Sequence, residues 1–299
     1  MSMRKRSKTP ADVLAIAEKA ASLFASEHAE AALALVEERL ATGEHVRLLR
    51  LKARLLVFFD REAEAGEILQ RILPNAWHPG FWELAQSGLP NSYALLSKNH
   101  NVAYFPVRKC SSTSLHNVMA LLDGGVPKGE DIHGSVASYE MIDRRAQRQR
   151  LADYMSVLIV RSPIDRVRSY FEGNIAGREH LELDTGGKDS FYGLSTRPSY
   201  EEFLENFQAY RRTFITVRNH TDPLTGYVGA DASVFDWIGN TSQTNELTDI
   251  LSQRSSLKLP KLQDMRRGKG TEISTRAQDA EQALLPCYQA DYDAFGRWF

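Results

Sequence analysis

The run Met155-Ser-Val-Leu-Ile-Val160 sets the strongest limit on what this chain can fold into. It is almost without polar interruption, so neither face of an extended segment here suits water. A strand buried on both faces belongs to a sheet covered by helices on both sides, the arrangement of a parallel sheet in an α/β domain. A polar loop and a helical pattern follow the run. The same alternation occurs upstream, where Asn101-Val-Ala-Tyr-Phe105 reads as a strand, then a loop, then a helix from Thr113 to Leu122. Phe235-Asp-Trp-Ile238 reads as a third strand, before a helix near Asn245 to Arg254. Ala277 to Phe299 closes the chain, mostly as helix.

The first part of the chain has a different period. From Ala11 to Leu73 good helix formers dominate, and Leu14, Ala17, Ala21 and Phe24 recur at helical spacing. Segments Ala31 to Leu40 and Glu64 to Leu73 are weakly similar at an offset of 33, pairing Leu35 with Ile68 and Val36 with Leu69. Such hairpins resemble tetratricopeptide repeats, and an amphipathic bundle with accidental similarity explains them equally. Pro74, His78, Pro79 and Gly80 break the pattern. The expected division is a helical region over 1–95 and an α/β domain over 96–299.

At 42% hydrophobic and 25% charged residues, the composition is that of a soluble globular chain. No apolar run approaches the roughly 18 to 20 residues that span a bilayer. The basic start from Met1 to Lys8 leads into a stretch carrying Asp12, Glu18 and Lys19, so it is not read as an export signal. Two cysteines, Cys110 and Cys287, offer no disulfide framework and no multi-cysteine zinc cluster, and the expected home is the cytoplasm. A net charge of −1 gives no global attraction to nucleic acid or anionic membrane. Any anion must be met by local charges.

Local charges are concentrated after the first strand, in Pro106-Val-Arg-Lys-Cys-Ser-Ser-Thr-Ser-Leu115. One lysine and four hydroxyl residues stand at the entry to a helix, where backbone N–H groups lack intrahelical acceptors and the dipole favours an anion. The same residues also serve as an ordinary helix cap. A Walker A loop would need glycines, and none lies between Asn101 and Asp123. Instead the stretch resembles the 5′-phosphosulfate loop of sulfotransferases that use 3′-phosphoadenosine 5′-phosphosulfate (PAPS), Pro-Lys-x-x-Ser-Thr-Ser. Lys109, Ser112, Thr113 and Ser114 match it, while Arg108 stands where that family has proline.

The second strand leads into Arg161-Ser-Pro-Ile-Asp-Arg-Val-Arg-Ser-Tyr170, which resembles the family's 3′-phosphate motif through Arg161, Pro163, Arg166 and Ser169. Ser162 replaces the usual acidic or amide residue, and Tyr170 comes one position early. A strand-end arginine can grip phosphate through two N–H groups, and a serine two helical turns on adds a hydroxyl.

Together the motifs imply a P-loop-like three-layer α/β domain with a central parallel sheet, PAPS as donor, its desulfated product PAP, and no metal. Arg108, Lys109, Cys110, Ser111, Ser112, Thr113, Ser114, Arg161 and Ser169 would line the donor site, with Lys109 neutralising the leaving group. Between the motifs, Asp131-Ile-His-Gly-Ser-Val136 resembles a segment of carbohydrate sulfotransferases of the heparan 2-O type, which makes His133 the expected general base. Imidazole suits that task near neutral pH. Glu130 and Asp131 are alternatives. The resemblance also brings His220, in Arg218-Asn-His220, to the acceptor side. It makes Arg266, Arg267, Gly268 and Lys269 a basic loop over the 3′-phosphate. The ending with Tyr288, Asp291 and Phe295 resembles a terminal helix of glycan sulfotransferases and is read as structural. The implied acceptor is a hydroxyl on a carbohydrate, and the N-terminal helices are expected to be able to bind a protein partner. Arg144, Arg145, Arg148 and Arg150 suit either an acidic polysaccharide or a charged helix face. A P-loop small-molecule kinase and a non-catalytic helical-repeat adaptor are the competing expectations.

Overall fold

A computed structural model describes residues 10–72, 91–129, 139–262 and 273–299. The helical N-terminal period becomes four helices, α1 (Ala11–Ala25), α2 (Ala29–Ala41), α3 (Val46–Phe58) and α4 (Glu62–Ile72). α1 turns Val13, Ala17 and Ala20 inward at spacings of one helical turn, against Val36 of α2 and Leu48, Leu55 and Leu56 of α3. Each large apolar side chain so buried contributes about 1.5 to 3 kcal/mol.

The next elements are β1 (Asn91–Ser97), β2 (Val102–Phe105), α5 (Ser112–Leu122), β3 (Tyr139–Asp143), α6 (Gln147–Arg150), β4 (Met155–Val160) and α7 (Pro163–Tyr170). A π-helical turn over Phe171–Ala176 leads to α8 (His180–Thr185), the short hairpin β5 (Ser190–Phe191) and β6 (Leu194–Ser195), then α9 (Tyr200–Glu205), α10 (Phe207–Thr213), α11 (Ile215–Thr221) and α12 (Leu224–Val228). β7 (Trp237–Asn240), α13 (Thr244–Ser255), α14 (Thr275–Leu284) and α15 (Gln289–Phe295) complete the fold.

The main sheet has five strands in the order β3-β1-β2-β4-β7. β4 lies parallel to both β2 and β7, and Leu158 stands opposite Phe105 on one side and Ile238 on the other. The expected central parallel sheet is present in β2, β4 and β7, and β1 and β3 make the whole sheet mixed, β1 pairing antiparallel with both β2 and β3. β1 escapes sequence reading for a physical reason. Its Ser92 and Ser97 look like surface residues, yet both are fully buried, Ser92 accepting from Arg144 Nε at 2.9 Å and Ser97 donating to Asp123 at 2.7 Å. β7 also starts two residues later than expected, since Asp236 spends its N–H and carboxylate on the Ser156 backbone before the ladder begins.

Helices cover the sheet. Leu115, Val118, Met119 and Leu122 of α5, with Leu247 and Leu251 of α13, pack with the buried strands β2 and β4 in one cluster. A second group centred on Val167, Tyr170, Phe203 and Tyr210 joins α7 to α9 and α10. The N-terminal helices are packed onto this body: their cluster includes Tyr93 of β1, and the expected division at 95/96 falls inside β1. Two ion pairs fasten them, Glu62 to the buried Arg218 at 2.6 Å and Asp60 to Arg212 at 3.0 Å. Burial alone would raise the Glu62 carboxyl, but the Arg218 guanidinium outweighs it and holds the group below its ordinary value. Among the described residues, no helix is long and apolar enough to cross a membrane.

Candidate active site

Because β2 and β4 are parallel neighbours, the loops that leave their C-terminal ends emerge side by side at one edge of the sheet. The first carries Arg108 to Ser111 into α5. Its path is sharp. Lys109 and Ser111 both adopt left-handed backbone, at φ 65° and 55°, without being glycine. Each such residue costs roughly 1 to 2 kcal/mol, and strain of this kind gathers at ligand clamps. The loop is pinned from below: Val107 and Cys110 are fully buried, and Cys110 N–H donates to the Val107 carbonyl at 3.3 Å. Burial pushes the Cys110 thiol up to about 11, so this sulfur is a packing group and stays protonated.

Leu115 N–H is bonded back to the Ser111 carbonyl at 3.1 Å. Ahead of it, the half-buried Ser112, Thr113 and Ser114 form the opening turn of an eleven-residue helix, where N–H groups precede the intrahelical ladder. Loop and turn together bring a cation, hydroxyls and the first N–H groups of the helix close in sequence.

The second loop is Arg161-Ser162, followed by Pro163 at the first position of α7, where its missing N–H costs nothing. Arg161 is half-buried, and among the described residues it has no hydrogen-bond or ion-pair partner. Ser169, also half-buried, lies two turns along the same helix. The motif's other arginine does different work. Arg166 is fully buried and donates from Nε to the Arg108 carbonyl at 3.3 Å, from Nη1 to the Asp222 carbonyl at 2.9 Å and from Nη2 to the His220 carbonyl at 3.5 Å. It clamps the first loop to the α11–α12 junction. That junction is braced in turn by the chain's end: Tyr288 donates to the Thr221 carbonyl at 2.7 Å, and the Asp291 carboxylate accepts from Leu224 N–H at 2.6 Å and Thr225 N–H at 2.8 Å. The terminal Tyr, Asp and Phe pattern is thus structural.

The π-helical turn adds two residues that sequence reading misses. Asn174 Oδ1 accepts from Lys109 Nζ at 3.0 Å, and the other end of the amide lies 3.4 Å from His180 Nδ1. Gly173 lies beside it, and a Cβ there would stand in ordinary contact with Lys109 Nζ, at 3.5 Å. Burial lowers the half-buried His180 imidazole, Asp184 opposes this, and Arg178 and Lys109 add to it. No periodic pattern announces these residues; the only available signal is a glycine and an amide directly after the arginine motif.

His220 is held against the first loop. Its Nδ1 lies 2.7 Å from the Thr216 carbonyl, which makes Nδ1 the protonated nitrogen, and its Nε2 then faces Arg108 Nη1 at 3.4 Å as acceptor. The ring is stacked on Tyr170 at 4.7 Å. Burial and the Arg108 guanidinium push the imidazole well below its ordinary range, so it is neutral at neutral pH.

The structure therefore brings Arg108, Lys109, Ser111, Ser112, Thr113, Ser114, Arg161, Ser169 and His220 to one edge of the sheet. Cys110 lies beneath it. His133, Glu130, Arg266, Arg267, Gly268 and Lys269 lie outside the described residues. The four arginines after β3 are engaged within the protein: Arg144 with Ser92, Arg145 with Asp143, Arg148 with Ser233 and Arg150 with Glu140.

Such an edge, with cations and hydroxyls on two adjacent strand ends, can hold two phosphate-like anions at once. A model of the sulfotransferase family matches residues 92–296, from β1 to the last turn of the chain. The chain belongs to the sulfotransferase family. No curated protein and no solved structure matches it. As a sulfotransferase the chain is an enzyme of sulfuryl transfer, a reaction that requires a hydroxyl-type acceptor beside the donor.

Proposed function

We propose that this sulfotransferase moves the sulfuryl group of PAPS to a hydroxyl of a carbohydrate acceptor. The reading is carried by the adjacency of two strand ends with anion-binding residues: Lys109 to Ser114 for the 5′-phosphosulfate, and Arg161, which has no partner among the described residues, with Ser169 for the 3′-phosphate. The 3′-phosphate separates PAPS from ATP, and a dedicated arginine is what that distinction needs.

In this reading transfer is a single in-line displacement. The acceptor oxygen forms its bond to sulfur while the bond from sulfur to the bridging oxygen breaks, and the electron pair leaves on the 5′-phosphate of PAP. Lys109, aimed by Asn174, meets the charge developing there. The acceptor proton goes to an imidazole. His133 is the residue assigned to this step by resemblance, and His180 stands one side chain from Lys109 through Asn174. His133→Ala is expected to lower turnover by about 10² to 10⁴ with PAP affinity unchanged. Should His180→Ala behave this way and His133→Ala not, the base is His180.

A further part of the reading is that the four helices from Ala11 to Ile72 form a tetratricopeptide-like surface able to hold a protein partner, and that the enzyme is cytoplasmic. The donor assignment is tested by calorimetric titration with PAP, with ADP and ATP as controls. PAP is expected to bind preferentially, and Arg161→Ala to weaken it by roughly 30- to 100-fold, the equivalent of about 2 to 3 kcal/mol for charge-assisted contacts. Equal binding of ADP and PAP by the wild-type chain would sink the 3′-phosphate assignment.

A further inference from the structure

A cavity of about 310 Å³ lies where the N-terminal helices meet the catalytic body. Phe24 of α1, Phe191 of β5 and Phe214, just after α10, give it an aromatic wall, while Arg54, Asp184 and Thr216 bring polar groups to it. The wall is fixed by packing: Phe24 meets Phe58 edge-on at 5.2 Å and Phe191 at 5.7 Å. Neither half of the chain forms this space alone.

Two short chains of contacts join the cavity to the loop that carries Lys109. On one side Thr216 donates to Asp184 at 2.6 Å, while its carbonyl meets His220 Nδ1 at 2.7 Å and the far side of that ring meets Arg108. On the other side Asp184 stands one turn of α8 after His180, on the same helix face, and His180 meets Asn174, the partner of Lys109. The volume falls at the lower end of the range for small-molecule sites, and three rings beside a few polar groups are the lining that such sites use.

We infer that this cavity is the acceptor subsite and takes an apolar, ring-containing part of the acceptor, as in an aryl glycoside, leaving the hydroxyl directed at the Lys109 loop. The inference rests on the PAPS reading above and gives the N-terminal helices a part in choosing the acceptor. The transferred bond, the leaving electron pair and the proton follow the displacement already described.

The probe is 2-naphthol, titrated into the full chain saturated with PAP and followed by its own fluorescence. Ala21, an exposed residue of α1 that lines the cavity, supplies the blocking variant Ala21→Phe. The wild type is expected to bind naphthol saturably and, given PAPS, to form naphthyl sulfate. Ala21→Phe is expected to bind naphthol at least about tenfold more weakly, at unchanged PAP affinity and melting temperature. If Ala21→Phe shifts the melting temperature, Asp184→Asn replaces it: unchanged naphthol binding with unchanged sulfation would count against the subsite. No saturable binding, equal binding by Ala21→Phe, or binding without sulfate formation each overturns the proposal. Failure of the wild type to bind PAP is read separately, and strikes the donor reading instead.

Discussion

Lys109→Ala is expected to lower the turnover of sulfuryl transfer by about 10³ or more, the loss that follows removal of the main charge-stabilising group of a phosphoryl-type transfer. The geometry makes the lysine's contribution specific. Its backbone is left-handed and its ammonium is held by Asn174 at 3.0 Å. Lys109→Arg should not restore the rate, because a planar, delocalised guanidinium does not put its charge at the single point where the compact ammonium meets Asn174. The side chain is only half-buried and lies outside the core clusters, so the melting temperature should move by no more than a few degrees. Single-turnover rates with labelled PAPS, set beside a melting curve, make the check. Wild-type turnover in Lys109→Ala would end the assignment of this loop to the transferred group.

Arg166→Ala gives the opposite profile, a loss of fold before a loss of chemistry. Removing this buried guanidinium strands the carbonyls of Arg108, Asp222 and His220 and opens a cavity beneath the loop, against a ring, Tyr227, that the guanidinium now covers at 5.6 Å. The expected cost is about 3 to 5 kcal/mol. For a chain of this size that lowers the melting temperature by roughly 6 to 20 °C. Arg166→Lys recovers little, since one ammonium cannot reach three carbonyls that a planar fork reaches together. A variant as stable as the wild type would show that the α11–α12 junction and the Lys109 loop hold their places without this clamp.

These two arginine-motif residues, Arg161 and Arg166, illustrate how far a sequence can be read. The motif places Arg161 just before one helix and Arg166 within it, and both are basic; nothing in their spacing says that one is only half-buried while the other is fully buried as a clamp. That difference is made by α11, α12 and the terminal Tyr288 and Asp291, which meet the helix only in three dimensions. His220 follows the same rule. Its residue type suits an acid or base, but a carbonyl on one nitrogen and a guanidinium on the other leave it a neutral support for Arg108.

What the chain's own order determined is local. A nearly unbroken apolar run dictates a doubly buried strand, a lysine followed by hydroxyl residues marks a helix entry, and helical spacing of alanine and leucine dictates the N-terminal helices. Each depends on neighbours a few residues away, so each is legible in one dimension. The tertiary structure alone decided that β1 and β3 join the sheet on buried serines and polar edges, that a π-helical turn delivers Asn174 to Lys109, and that the N-terminal helices close an aromatic cavity against the catalytic body. Those features are made of contacts between distant segments, whose free energy depends on burial and geometry that no local pattern encodes.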